Sequence, residues 1–222
     1  MTHDPSHRAG HATAGPAAPA ARVIPIDQLA GDAAFRPLAA LRGVQADLRY
    51  ASPRNLLGRD LYSPHDCAWL HVEAADALQA AADWLAAHRP DRRLCVLDAV
   101  RPQRVQELFW AHVVGTSMQP YFAPPERGSI HSFGMAVDLT LLDAAGRELD
   151  MGTPFDDTTE RSHPALEHRF EAGGEIAPEA LAHRRLLRTA MLHAGFQAIA
   201  TEWWHFDFGD RERVRRDYRR VV

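Results

Sequence analysis

Lysine is absent from all 222 residues. No side chain can therefore act as an amine nucleophile or form a Schiff base, and pyridoxal-phosphate chemistry is excluded with them. Arginine carries the whole of the basic charge, a usage that a GC-rich genome also produces. Cysteine is nearly as scarce. Cys67 and Cys95 are the only two, too few for a disulfide framework and too far apart for a zinc knuckle. Cys95 sits in the apolar run Leu94-Cys95-Val96-Leu97 and reads as a buried, inert thiol. No apolar run approaches the roughly 18 residues of a membrane span. The net charge of −4 gives no basic surface for nucleic acid. The first twenty residues are rich in Ala, Pro, Gly and His but lack the apolar stretch of a signal peptide. The expectation is a disordered leader over 1–21, with His3, His7 and His11 at most adventitious metal binders. A single domain over 22–222 and a cytoplasmic setting complete it.

With 46% apolar and 24% charged residues, the chain has the composition of an ordinary globular domain and the length to bury a core. Val72, Ala75, Leu78, Ala82 and Leu85 recur at helical spacing, with Pro90 just beyond, so a helix is predicted over His71–His88. Leu94–Val100 reads as a buried strand, closed by Arg101-Pro102. Pro102 opens a second helix with Val105, Leu108, Phe109 and Val113 on its inner face. A strand is predicted over Ala136–Leu142, a third helix over Glu179–Ala194 with Gly195 after it, and a final strand over Phe196–Phe208. The polar stretch from Asp143 to Gly174 suits an active-site wall, and the Arg-rich stretch after Asp210 a solvated surface segment. The irregular alternation of helices and strands favours an α+β fold, a single domain with a mainly antiparallel sheet flanked by helices.

Two segments carry chemistry. In Ser129-Ile130-His131-Ser132-Phe133-Gly134-Met135-Ala136-Val137-Asp138, His131 and Asp138 are an odd number of positions apart and would face opposite ways on one regular strand. Gly134 can supply the turn that brings them together. The plain alternative is a surface histidine and a turn carboxylate. Against it, Asp138 lies inside an apolar run, where an unpaired charge is costly. The second segment is Glu202-Trp203-Trp204-His205. Its pattern makes sense if His205 binds metal, Glu202 stands beside a water on that metal, and the tryptophans wall the site. A Glu–His pair satisfied by each other under an aromatic cover is the alternative. Two imidazoles and a carboxylate, with one coordination position left open, are enough for a hydrolytic zinc site. The His-Glu-x-x-His helix of common zinc proteases is absent.

Ser-x-His-x-x-Gly-x-Ala-x-Asp followed far downstream by Glu-x-Trp-His resembles the zinc D,D-peptidases of the M15 family, and within it the D-alanyl-D-alanine dipeptidases of the VanX type. The likeness runs from Arg49-Tyr50-Ala51 through Asp98-Ala99-Val100-Arg101-Pro102-Gln103-Arg104 and Asp150-Met151-Gly152-Thr153-Pro154-Phe155-Asp156 to His205. The Trp203-Trp204 pair favours the dipeptidase branch. The resemblance implies a Hedgehog/D,D-peptidase-like fold with one zinc per chain at the sheet, held by His131, Asp138 and His205. It implies Glu202 as general base and then acid, and Arg101 as the group steadying the oxyanion, where an ion pair with Asp98 would be the plain reading. It further implies Asp156, with Asp157 adjacent, as partner of the substrate ammonium, and Ser129 and Tyr50 as substrate contacts. The implied activity is hydrolysis of D-Ala-D-Ala, a small D,D-dipeptide. A D,D-carboxypeptidase on longer peptidoglycan peptides and a non-catalytic zinc- or peptide-binding module are the rivals. Two departures stand out: a Val before Arg101 where the family commonly has an aromatic, and a divergent loop from Val114 to Gly128.

Overall fold

A computed structural model describes residues 22–222; the leader expected over 1–21 lies outside the described residues. In chain order the elements are β1 (Val23–Ile24), β2 (Phe35–Pro37), β3 (Val44–Ala46), β4 (Trp69–His71), α1 (Val72–His88), β5 (Arg93–Asp98), α2 (Gln103–Val113), β6 (Ala136–Leu142), α3 (Glu167–Ala172), α4 (Pro178–His193), β7 (Phe196–Ala198), β8 (His205–Phe208), α5 (Arg211–Asp217) and β9 (Arg220–Val221). They build one mixed α/β domain around a five-stranded sheet of order β3-β5-β6-β8-β7. β3 pairs with β5 in parallel, and β5–β6, β6–β8 and β8–β7 are antiparallel.

β6 is the spine. All seven of its residues are buried, because both faces of the sheet are covered. On one face Leu94, Val96, Leu139 and Leu141 pack with Leu78 and Leu85 of α1 and Leu187 and Met191 of α4. Strand alternation sends Cys95, Leu97 and Leu142 to the other face, under Phe155. Asp138 belongs to this second face, so the site grows on the side of the sheet away from the two long helices. A bulge interrupts the β5–β6 register, where Val96 pairs with Leu139 but Asp98 already pairs with Asp138. The extra residue sets two buried aspartates opposite each other, an arrangement that requires cations nearby.

Three sequence expectations are corrected. The segment Phe196–Phe208 is not one strand. It is a hairpin of β7 and β8, with Phe196 opposite Phe208 and residues 199–204 outside the sheet. Hydrophobic patterning misses the reversal because the connection, Ile199 to Trp204, holds neither Gly nor Pro. The stretch after Asp210 is not merely a solvated surface segment. Asp210 caps α5 by accepting from Arg213 N (2.8 Å), Val214 is buried, and β9 pairs with β1 in parallel. On α2, Leu108 points outward at 36% exposure while Gln106 is buried in its place. A hydrogen bond explains the exchange, since Gln106 Nε2 donates to the Ala123 carbonyl (2.8 Å) and ties down the following loop. The Asp143–Gly174 stretch also contains the short helix α3.

Candidate metal centre

His131 lies in the 3-10 turn Ile130–Phe133, which Gly134 ends at φ 66°. A Cβ at Gly134 would stand 2.7 Å from the His71 backbone nitrogen, so both the positive φ and the close approach require glycine. The turn delivers His131 beside β6, where Asp138 faces His205 of β8 directly. His131 and Asp138 are both almost wholly buried, and His205 is partly buried.

Hydrogen bonding fixes the tautomer of each ring. His131 Nδ1 donates to the Ala99 carbonyl (2.9 Å), which leaves Nε2 bare. His205 Nε2 donates to Asp207 Oδ1 (2.9 Å), which leaves Nδ1 bare. The two bare nitrogens lie 3.1 Å apart, and Asp138 Oδ1 lies 2.9 Å from one and 3.2 Å from the other. Ligands at about 2.0–2.1 Å around a tetrahedral ion are spaced by about 3.3 Å, close to the edges of this triangle. Three lone pairs converge, and a cation is what they have in common. Among the described residues, this is the only group of three or more His, Cys, Asp or Glu side chains with such convergence. The same carboxylates let a proton on Nδ1 compete with a metal ion for that lone pair, since His205 is raised well above the usual imidazole range. Burial works against its charge, but Asp207 and Asp138 outweigh the burial.

The surroundings are ordered by a second set of charges. Asp98 Oδ2 accepts from Arg101 Nε (2.9 Å) and Nη2 (2.7 Å), and its other oxygen accepts from Ala99 N and from the Tyr62 hydroxyl. Arg101 thus makes the ion pair with Asp98, yet the same guanidinium also comes within 3.5 Å of Asp138 and lines the cleft above the triangle. Asp207 is gripped by Arg211 through Nε (2.6 Å). Carboxylates behind metal-binding histidines orient the rings and raise their basicity. Patterning alone could have found Asp207, which lies two residues after His205 and so on the same face of β8.

A cleft of about 730 Å³ opens over the triangle. It brings together all eight residues that the sequence singled out: Tyr50, Arg101, Ser129, His131, Asp138, Asp156, Glu202 and His205. Burial pushes Glu202 up to about 7. Asp156, at a φ of 64°, is driven by burial and by the charge of Asp138 up to about 8. Its Oδ1 accepts from the Tyr50 hydroxyl (3.0 Å), whereas its Oδ2 is buried without a partner. The neighbouring Asp157 instead accepts from Thr159 N (2.7 Å) in a local turn. Of the two tryptophans expected to wall the site, only Trp204, edge-on to Phe155, lines the cleft; Trp203 donates to Thr153 Oγ1 (2.9 Å) and lines a separate cavity beside it. The divergent loop contributes Tyr121 to the cleft lining, and the Tyr121 hydroxyl meets His163 Nε2 at 3.0 Å.

The peptidase M15 family, described as D-ala-D-ala dipeptidase, matches residues 33–222. The chain belongs to that family. It is 35% identical over 164 residues to the D-alanyl-D-alanine dipeptidase of Escherichia coli (strain K12), covering 74% of this chain and 78% of that one. It is 33% identical over 189 residues to the D-alanyl-D-alanine dipeptidase of Enterococcus faecium, covering 77% and 88%. Among solved structures, the LdcB LD-carboxypeptidase matches 72% of this chain and 76% of that one at 14% identity and a TM-score of 0.38. As an M15 peptidase the protein is an enzyme of a metal-dependent family, and the His131-Asp138-His205 cluster is a possible site for the ion. Among the described residues no helix of this M15 peptidase is long and apolar enough to cross a membrane.

Proposed function

We propose that the protein is a zinc dipeptidase that hydrolyses D-alanyl-D-alanine to two D-alanines. The substrate is that of the relatives named D-alanyl-D-alanine dipeptidase. The observation that supports the chemistry most is a ligand triangle sharing one cleft with a buried, unpaired carboxylate oxygen, Asp156 Oδ2. His131, Asp138 and His205 would hold one zinc per chain, the ion that a tetrahedral His₂Asp set suits best. Bound there, it supplies a Lewis acid for the scissile carbonyl and makes water a nucleophile near neutral pH.

The remaining steps fall to side chains. Glu202, raised toward neutrality, takes a proton from the attacking water on its carboxylate and delivers it to the nitrogen of the leaving D-alanine. A base and acid with a pKa close to the working pH does both efficiently. Arg101, held in place by Asp98, donates to the oxygen on which negative charge develops. Asp156, its geometry set by Tyr50, receives the substrate ammonium on Oδ2, and Ser129 lines the cleft two residues before His131 as a further contact. The mainly antiparallel, D,D-peptidase-like arrangement and a cytoplasmic setting belong to the same proposal.

Asp156 favours the dipeptide over the longer substrate of a carboxypeptidase, since a longer peptide would bring an uncharged amide to this carboxylate. A module that only binds would need neither Glu202 nor Arg101. The deciding experiment assays zinc-loaded protein against D-Ala-D-Ala, L-Ala-L-Ala and a pentapeptide ending in D-Ala-D-Ala. Hydrolysis of the first alone is expected. Cleavage of the pentapeptide at an equal rate would replace the proposal with the carboxypeptidase, and inertness toward all three would reject hydrolysis.

A further inference from the structure

The catalytic groups account for one side of the cleft only. On the other side of His205, three guanidiniums line the same cavity: Arg127, Arg211 and Arg215. They come from two separate parts of the chain, the loop before Ser129 and helix α5. Their partners leave donors over. Arg211 Nε and Nη2 engage Asp207. Arg215 gives Nε to the Gly128 carbonyl (3.3 Å) and Nη1 to Glu212 (2.9 Å). Arg127 gives Nη2 to the same Glu212 oxygen (3.3 Å). Among the described residues, each guanidinium thus retains at least one nitrogen with no protein partner. Three cations share two carboxylates, Asp207 and Glu212, and Glu212 is 72% exposed and largely given over to solvent. Arg215 is the interior member, its side chain only 13% exposed. Burial together with the nearby charge of Arg127 lowers its pKa. Arg127 and Arg211 are 57% and 45% exposed, so the set surrounds one nearly buried cation with two open ones, and its spare donors suit an anion entering from the cleft.

The position of the cluster identifies the anion. Asp156 has Asp138, Arg101 and Glu202 as its charged neighbours. Arg215 has Arg127, Glu212, Arg211 and Asp207. The two sets do not overlap, and the ligand triangle lies between them: Asp138 faces His205, and His205 leans on Asp207. Arg215 is also bonded to the carbonyl next to Ser129, so its guanidinium stands beside that cleft residue. A zwitterionic peptide with its ammonium at Asp156 and its scissile bond over the triangle would direct its carboxylate toward Ser129 and these arginines.

We propose that Arg215, backed by Arg127, reads the free C-terminal carboxylate of the substrate and makes the enzyme select peptide acids over peptide amides. Arg211 is a positioning residue that holds Asp207. The inference rests on the dipeptidase reading above, and the test separates the two. Steady-state kinetics compare D-Ala-D-Ala with its C-terminal amide, for the zinc-loaded enzyme and for Arg215→Met and Arg127→Ala. The unsubstituted enzyme should prefer the acid by about tenfold to a hundredfold in kcat/KM, the range of a charge-assisted contact. Arg215→Met should abolish most of that preference, mainly through KM, and Arg127→Ala part of it. Because Arg127 is 57% exposed, its variant folds even if Arg215→Met does not. Calorimetric binding of the same two ligands to Glu202→Gln protein, with and without Arg215→Met, reads the discrimination without turnover. Preference for the acid in both arginine variants would overturn the proposal. Acid-selective binding that depends on Arg215, in a protein that hydrolyses neither ligand, would reject the dipeptidase reading and retain the carboxylate site.

Discussion

His205 is held from both sides, with Asp138 Oδ1 2.9 Å from Nδ1 and Asp207 Oδ1 2.9 Å from Nε2. Asp207 therefore sets which nitrogen is bare. Asp207→Asn preserves the shape, yet its amide can present an N–H where an acceptor is needed. The variant should bind zinc about 10- to 100-fold more weakly while keeping its circular dichroism. His131→Ala should lose the metal outright. Elemental analysis after dialysis checks both, and full retention by His131→Ala would remove that ligand.

Glu202→Ala should keep close to one zinc per chain and lose turnover of D-Ala-D-Ala by at least about two to three orders of magnitude. A near-normal rate would transfer the role of base to another group.

The same residue sets the pH profile. Glu202 must be ionised to accept a proton, and burial, offset in part by His205 and Arg101, raises it to about 7. A dication alongside favours the carboxylate and pulls that value down. The acid limb of kcat/KM should therefore fall below pH 7 with zinc bound, and it should disappear from the residual rate of Glu202→Ala. An unchanged acid limb in that variant would assign it to some other group.

Asp156 is costly to the fold and useful to the site. Its pKa is raised to about 8, by burial first and by Asp138 next. A carboxyl raised in the folded state favours folding while protonated, and this advantage fades as pH climbs from near 4 through 8. At pH 7.5 Asp156→Asn should thus raise Tm by a few degrees and flatten its decline between pH 5 and 8. It should also raise KM for D-Ala-D-Ala by about tenfold to a hundredfold through loss of the ammonium contact. A lower Tm together with an unchanged KM would contradict both halves.

Arg101 serves two ends at once. Removing it strands Asp98 and Asp138, both buried and directly opposite each other. Arg101→Met should destabilise by about 3–5 kcal/mol, measured by urea unfolding, and also abolish turnover. Arg101→Lys should recover most of the stability but little of kcat, because a point charge does not replace a fork of donors.

Some of this was legible in the sequence and some was not. The long helices announced themselves by period and by Pro90, Pro102 and Gly195 at their ends. Gly134 signalled the turn that joins His131 to Asp138, since only a positive φ reverses the chain that tightly there. The hairpin after Phe196 left no such mark. Its connection, Ile199 to Trp204, is anchored outside the sheet by Trp203, which donates to Thr153, fifty positions away in the chain. Long-range satisfaction of one indole N–H has no local signature. The same holds for Gln106, whose burial depends on the carbonyl of Ala123. Asp98 was visible only as a neighbour of Arg101; its pairing with Asp138 comes from a bulge that no periodicity encodes.

Trp204 is fixed in the wall of the cleft, buried to 3% exposure and next in sequence to His205. Trp110 lines the same cleft from α2. The site thus contains its own fluorophores. Metal loading and peptide docking should each register as a change in intrinsic emission, so affinities could be titrated optically on unlabelled protein, without a chromogenic substrate and before any bond is cut.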